Sequence, residues 1–288
     1  MKVSLMVSSN KGSYYLAAEY EKKLAAYEAS TFRKLGEYNT HYEFGGTRMC
    51  ITENGKYLAA AAYGRYGITL YDTQSGEPLW VTKEVKKIQY IRFSEDDTLL
   101  YAVNADNRLY TISAADGSTV SVEKSIQKIS ADSTPLLKYT THKKLIWDNM
   151  SVSFTDKEPL SLYSGNNRIF CAFQGGGIKC FSLDGNELWS AENKPEEHYI
   201  QLCHNKKYGF ITGLGFKYGG SRTDPIHYLD VFSDESGELI YTVKLNEKPT
   251  CINFYTFTDN GESVVSGNGN IYILEKNGYT LKENQFDI

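Results

Sequence analysis

The hydrophobic and polar positions along this chain repeat one unit. An apolar segment, a short polar turn and a second apolar segment recur, as in CITENGKYLAAAAY at 50–63 and RFSEDDTLLYAVN at 92–104. Each is followed by a second pair of apolar segments around a glycine-bearing turn, as in LYDTQSGEPLW at 70–80 and FSLDGNELW at 181–189. Asn-Gly, Asp-Gly and Ser-Gly suit tight hairpins, because one or both central residues need a positive φ. Each unit therefore predicts four antiparallel strands.

Repetition of a four-stranded unit at a period of about 40 residues is typical of propeller blades. We place the innermost strands near residues 2, 47, 87, 126, 159, 198 and 249. The pattern therefore predicts an all-β, seven-bladed β-propeller with four antiparallel strands in each blade. No Pro/Ser-rich linker divides the chain, so we expect residues 1–288 to form a single domain.

One segment also fits a helix. Residues 14–29, YYLAAEYEKKLAAYEA, are rich in Ala, Leu, Glu and Lys, which favour helices. Their register with the other repeats instead predicts two strands, at 14–20 and 24–29, and we adopt that interpretation.

The repeats carry a family resemblance. TENGKYL at 52–58 and SEDDTLL at 94–100 resemble the inner hairpin of WD-repeat propellers. YDTQSGEPLW at 71–80 and LDGNELW at 183–189 are similar to the outer hairpin of quinoprotein-like propeller repeats. No blade carries the Gly-His and Trp-Asp pairs of true WD repeats, and the adjacent cysteine pair of quinoprotein dehydrogenases is absent. The resemblance implies a propeller fold and leaves the function open.

Composition and charge indicate which partners and which cellular location to expect. The formal net charge is −4 and acids and bases alternate along the chain, which argues against the basic face of a general nucleic-acid binder. No apolar run approaches the ~20 residues of a membrane-spanning helix, and the N-terminus lacks a signal-peptide pattern. We therefore expect a cytoplasmic monomer that binds neither nucleic acid nor membrane. The five cysteines form no C-x-x-C pair and are expected to be reduced and mostly buried.

Cys171 and Cys180 stand directly opposite each other if Gly175-Gly176 is a two-residue hairpin loop, and are offset if the loop has three residues. Even in the first case, two free thiols are the expected state of a cytosolic chain.

The sequence contains no motif of a catalytic or cofactor site. G-x-S-x-G, H-E-x-x-H, the P-loop and the EF-hand loop are all missing, so we predict no catalytic residue, no metal and no cofactor. The glycines at 175–177 precede a strand and not a helix, which favours a turn over an anion site. The five histidines show no metal-ligand spacing, and His204 is placed near an inner turn on the lower face.

The longer loops indicate where a partner binds. In a propeller, loops between second and third strands share one end, here called the top face, with the connections between blades. Insertions usually lie on the binding face, and residues 213–226, GLGFKYGGSRTDPI, depart furthest from the repeat. The predicted top-face binding residues, of types enriched at interaction hot spots, are Arg65, Tyr66, His142, Phe216, Lys217, Tyr218 and Arg222.

The predicted function is therefore a non-catalytic interaction or scaffold propeller that binds a protein or peptide through its top face. Two alternatives stay open. One is a lactonase-like or lyase-like enzyme with a site at the central channel. The other is a sensor that binds a small polar molecule or a glycan.

Overall fold

The structure is a computed structural model, and it describes residues 3–9, 13–19, 23–28, 30–31, 33–38, 48–61, 67–130, 135–155, 157–173, 177–192, 197–205, 208–218, 225–244, 264–265 and 271–282. These residues form 27 strands and no helix. Consistently, no helix in this part of the chain is long and apolar enough to cross a membrane.

The strands form seven antiparallel sheets in chain order. The first three sheets comprise β1 (Val3–Ser8), β2 (Tyr14–Glu19), β3 (Lys23–Glu28) and β4 (Lys34–Tyr38); β5 (Met49–Ile51), β6 (Tyr57–Ala61), β7 (Ile68–Asp72) and β8 (Pro78–Thr82); and β9 (Ile88–Phe93), β10 (Leu99–Asn104), β11 (Arg108–Ser113) and β12 (Thr119–Lys124). The fourth and fifth comprise β13 (Ile126–Ile129), β14 (Lys138–Thr140), β15 (Lys144–Trp147) and β16 (Met150–Ser153); and β17 (Pro159–Gly165), β18 (Arg168–Phe173), β19 (Ile178–Ser182) and β20 (Glu187–Ala191).

The sixth sheet comprises β21 (Glu197–Asn205), β22 (Phe210–Tyr218), β23 (Pro225–Ser233) and β24 (Leu239–Lys244), and the seventh β25 (Val264–Val265), β26 (Ile271–Glu275) and β27 (Gly278–Lys282). Six sheets have four strands and the seventh has three within the described residues. The predicted innermost strand of the last blade, near residue 249, lies outside the described residues. The prediction of an all-β chain built from four-stranded antiparallel sheets is confirmed.

Residues 14–29 follow the repeat and not their helix propensity. They contribute β2 and β3, which pair from Tyr14↔Glu28 to Glu19↔Lys23. Leu16, Leu24 and Ala26 are buried in a cluster with Leu58 and Ala60 of the next sheet. Burial against a neighbouring blade outweighs the weak preference of one window for helix.

The fourth strand is the most exposed in the sheets whose burial is fully described, which are the second to the fifth. In the second sheet every residue of β5 is buried, whereas β8 has only Thr82 buried. The apolar side chains of the inner strands pack against a neighbouring sheet, as Ile91 and Phe93 of β9 do in a cluster with Ala59 and Leu70 of the preceding sheet. The core therefore lies between successive sheets, around the inner and middle strands.

Aromatic side chains tie neighbouring sheets together near their outer edges. Among the described residues, five junctions contain a Trp or Tyr that donates a hydrogen bond to a backbone carbonyl at the end of the third strand of the next sheet. We call this contact the aromatic latch. The latches join Tyr38 to Thr73 (2.8 Å), Trp80 to Ala114 (3.0 Å), Trp147 to Leu183 (2.8 Å), Trp189 to Asp234 (3.0 Å) and Tyr241 to Glu275 (2.8 Å).

Glycines make room for two of these latches. Gly117 and Gly237 have φ of +75° and +73°, and a Cβ on either would lie 2.8 Å and 2.4 Å from the rings of Trp80 and Trp189 respectively. The turn glycines therefore serve both the hairpin and the packing of the preceding sheet against it.

Candidate interaction face

Antiparallel strand order fixes which connections lie at each end of the propeller. The top face carries the connections between sheets and the turns between second and third strands, and the lower face carries the remaining turns. Hydrogen bonds at the two ends of the sheets agree with this assignment. Lys87 reaches Asp106 at 3.2 Å on the top face, and the Glu53 amide donates to the Asp97 carboxylate at 2.9 Å on the lower face.

The predicted loop at 213–226 is largely wrong. β22 and β23 are nine-residue strands that pair without interruption from Phe210↔Ser233 to Tyr218↔Pro225, leaving only residues 219–224 outside the described ladder. The corresponding hairpin of the third sheet has five pairs, from Leu99↔Ser113 to Val103↔Leu109. The departure from the repeat is therefore an elongated hairpin, because the inserted residues continue the alternation that pairing requires.

The additional residue pairs extend the hairpin on the top face. The lower ends of the two hairpins match, since Ser113 and Ser233 each precede a similar turn that ends in Gly117 or Gly237. The additional pairs must therefore extend upward, by roughly 13 Å at ~3.3 Å per residue. β21 runs alongside as far as Glu197↔Lys217, so that three strands share the extension.

The predicted binding residues fall into three groups. His142 is exposed in the turn between β14 and β15, on the top face. Phe216, Lys217 and Tyr218 occupy the last positions of β22, at the upper end of the elongated hairpin. Arg65, Tyr66 and Arg222 lie outside the described residues.

Charged residues separate between the two faces, which the sequence analysis missed. The top segments between β8 and β17 carry eight cations, which are Lys83, Lys86, Lys87, Arg108, Lys124, Lys143, Lys144 and Lys157. The described acids of the same segments are Glu84, Asp106 and Glu158, and Asp156 lies outside the described residues. We call this set of eight cations the basic rim.

The lower turns of the second, third and fourth sheets have the opposite charge. Their described acids are Glu53, Asp72, Glu77, Glu95, Asp96, Asp97, Asp116 and Asp148, and their one described exposed cation is Lys56. These acids are close enough to affect one another. Burial raises the pKa of the Asp97 carboxyl, and the negative charges of Glu53 and Asp96 raise it further. Consecutive turns along the chain lie at opposite ends of the propeller. Acids and cations that follow one another in the sequence are therefore sorted onto the lower and top faces respectively. The described residues thus give part of the top face a basic arc that the overall charge balance did not indicate, and the absence of nucleic-acid binding stays a prediction.

The best-connected polar cluster lies on the lower face, at the junction of the fifth and sixth sheets. Nε2 of His204, on β21, lies 2.8 Å from Oδ2 of Asp234, which also accepts a hydrogen bond from Asn166 Nδ2 at 3.2 Å. Arg168 and Trp189 both donate to the Asp234 carbonyl. The His204 ring stacks on Phe170 at 5.8 Å and its side chain has no exposed surface.

This cluster has the chemistry of a structural hub. The hydrogen bond from His204, with further contributions from Asn166 and Arg168, holds the pKa of Asp234 below its usual range. Among the described residues no group of three His, Cys, Asp or Glu side chains has the arrangement of a metal site. His204 is sealed from solvent and braces Asp234 within the sixth sheet. Asp234 in turn binds Asn166, Arg168 and Trp189 of the fifth sheet, so the cluster serves to join two blades.

The thiols are buried and unlinked. Cys50, Cys171, Cys180 and Cys203 are free, and Cys251 lies outside the described residues. Phe170 pairs with Cys180 and Cys171 with Lys179, which is the offset expected of a three-residue loop. Burial raises the pKa of Cys180 to about 12, so this thiol stays protonated at neutral pH.

Comparison with known proteins identifies the fold. No family model matches the chain, and no curated protein matches its sequence. Solved β-propellers do match its structure, so the chain has a WD40-type β-propeller fold and the predicted resemblance is confirmed.

Two such structures illustrate the similarity. The C-terminal WD40 domain of Sif2 is 11% identical, with a TM-score of 0.65 over 96% of this chain and 78% of that one. The β-propeller domain of Cps50 (Swd1) from Myceliophteria thermophila is also 11% identical, with a TM-score of 0.69 over 97% of this chain and 95% of that one.

Proposed function

We propose that this chain is a non-catalytic interaction propeller that binds a protein or peptide partner through its top face. The proposal rests on the elongated hairpin of β22 and β23, which β21 accompanies over most of its length. Elsewhere the middle strands of the four-stranded sheets have three to six residues, whereas β22 and β23 have nine. The four additional pairs, from Gly215↔Tyr228 to Tyr218↔Pro225, extend the sheet at its top end, beyond the length that the third sheet needs. Of their described side chains, Tyr228 packs in the core cluster with Tyr199.

The position of the hairpin favours recognition over stability. Phe216, Lys217 and Tyr218 end β22, and residues of these types supply stacking area and a cation at interfaces. His142 is exposed on the same face. We place Arg65, Tyr66 and Arg222 in the same site, because the connections that contain them join second to third strands.

Shortening the hairpin tests this function. Gly215 and Tyr228 stand opposite each other, so residues 216–227 can be replaced by Asn-Gly, which closes a two-residue hairpin in the same register. Leu214, Leu229 and Val231 remain in the core cluster. We expect the melting temperature to fall by only a few degrees, because the replacement also keeps the buried Tyr228 and because closure entropy changes slowly with loop length.

Partner capture by the tagged protein, followed by reconstitution with the purified partner, provides the readout. The shortened protein should fail to bind, whereas a control with Glu235→Ala and Lys276→Ala on the lower face should bind like the wild type. Unchanged affinity of the shortened protein would show that the hairpin is a tolerated insertion, and the top-face assignment would lose its main support.

A further inference from the structure

We infer that the basic rim recognises an acidic segment of a protein partner. This inference rests on the proposed top-face function and specifies its chemistry. The rim spans the connection at 83–87, the turn at 105–108, the connection at 124–125, the turn at 141–144 and the connection at 154–158. Its residues therefore come from five consecutive top segments and form an arc.

The acids within the arc leave most of its positive charge uncompensated. Asp106 pairs with Lys87 at 3.2 Å, and Glu158 pairs with Lys128, which lies outside the rim, at 3.1 Å. Among the described residues, no ion pair joins Arg108, Lys124 or Lys144 to a carboxylate, and all three are exposed. An incoming carboxylate can therefore reach them without first displacing a partner.

Two cations of the rim are held together against their mutual repulsion. Arg108 and Lys124 stand directly opposite each other in the ladder between β11 and β12. Like charges in that position destabilise a sheet. The upper end of the third sheet thus retains an arrangement that weakens the fold, which is expected where a bound anion offsets the repulsion.

The chemistry of the rim favours an acidic peptide over a nucleic acid. Seven of its eight cations are lysines, which act as point charges and lack the planar fork with which arginine recognises bases and phosphates. Apart from the His142 imidazole, no exposed aromatic ring lies among the described rim segments, so no Phe, Tyr or Trp is available there to stack a base. The net charge of −4 and the acidic lower turns also oppose a long polyanion.

Charge reversal on the full-length protein tests the inference. The probe is a fluorescent peptide of alternating Glu and Gly, with a Lys-Gly peptide and a single-stranded DNA oligonucleotide of equal charge as comparisons. The test variant carries Lys124→Glu and Lys144→Glu. The matched control carries Lys56→Glu and Lys276→Glu on the lower face and has the same net charge.

We expect the acidic peptide to bind the wild type at low salt and to be released as salt rises, because exposed charges are screened. The rim variant should bind about tenfold or more weakly, while the control stays near the wild type. The same rim variant should melt at a higher temperature than the wild type, because Lys124→Glu replaces a repulsive cross-strand pair with an attractive one. Loss of binding together with a gain in stability excludes an indirect effect of unfolding.

Three outcomes would overturn the inference: no binding of the acidic peptide at low salt, equal weakening in the control, or tighter and equally rim-dependent binding of the oligonucleotide. The hairpin-shortened protein separates the two proposals. If it loses its natural partner while the Glu-Gly peptide never binds the wild type, the top-face function stands and the acidic chemistry is wrong. If the peptide requires the rim but the partner still binds without the hairpin, the rim stands and the hairpin assignment fails.

Discussion

The junction between the fifth and sixth sheets and the junction between the third and fourth are built differently. At the first, Trp189 latches onto the Asp234 carbonyl and packs on Gly237, while the Asp234 side chain collects His204 and Asn166. At the second, the described residues form no aromatic latch. An ion pair between Lys138 and Glu123 at 2.8 Å joins the second strand of the fourth sheet to the outermost strand of the third, and both side chains are partly exposed.

A single sequence position accounts for much of the difference. Trp80, Trp189 and Tyr241 each follow a turn glycine by four residues, and Ser121 holds that position in the third sheet. Without an aromatic ring to anchor it, β12 has every residue exposed, including Val120 and Val122. One junction is therefore closed by buried aromatic and polar contacts, whereas the outer edge of the other is open to solvent.

Removing the hub residue should have the largest effect. Asp234→Ala leaves the buried His204 without its acceptor and removes the hydrogen bond to the exposed Asn166, and we expect a loss of about 3–4 kcal/mol in the free energy of unfolding. Urea denaturation measures this, with the exposed neighbour Glu235→Ala as a control that changes little. A loss below about 1 kcal/mol would contradict the assignment of Asp234 as a hub.

We also expect the difference in unfolding free energy between the wild type and Asp234→Ala to depend on pH. The pKa of Asp234 is lowered in the folded protein, so its contribution is fully present above the pKa of an unfolded aspartate, about 3.9. It is lost as the pH falls through the lower folded value. The difference in stability between wild type and Asp234→Ala should therefore shrink in acid, and a constant difference would contradict the ionised form assigned here.

The next effect tests the aromatic latch. Trp189→Ser gives the fifth sheet the residue that the third sheet has at the same position, and we expect a loss of about 3 kcal/mol from the removed buried ring. Ser121→Ala in the third sheet should change stability by less than about 0.5 kcal/mol. Equal effects in thermal unfolding would mean that the two junctions do not differ as the structure indicates.

The smallest effect is expected at the open junction. Glu123→Ala removes the partner of Lys138 from an exposed strand, and we expect a loss of less than about 0.5 kcal/mol that disappears at high salt. Denaturation at low and high ionic strength measures it. A salt-independent loss of more than about 1 kcal/mol would show that this ion pair has the role that aromatic latches have elsewhere.

Most of the fold could be predicted from local sequence alone. Alternating apolar positions and turn residues act over a few neighbours, and hairpins follow from them. Asn166 and Asn167, for example, both have the positive φ that a two-residue hairpin requires. The elongated hairpin was recognised as a departure but assigned to a loop, because its glycines at 213 and 215 suggested one. In the structure these glycines make room for the rings of Tyr199 and Tyr228.

The candidate site was predicted only in part. Its face followed from topology and from the position of the insertion. The basic rim did not, because Lys87, Arg108, Lys124 and Lys144 are separated in sequence by acids that the fold sends to the other end. The His204–Asp234 contact joins residues 30 positions apart on different strands, and no spacing rule indicates it.

The sequence by itself therefore determined what depends on short-range physics: strands, tight turns, the four-stranded unit and its repetition. Only the tertiary structure decided which residues meet across blades and which charges share a face. Those outcomes depend on the packing of successive sheets and on the alternation of turn direction, which bring together residues from separate repeats. The sequence pattern does not show how close residues of separate repeats lie in space. The aromatic latches, the Asp234 cluster and the basic rim can therefore be recognised only in the folded structure.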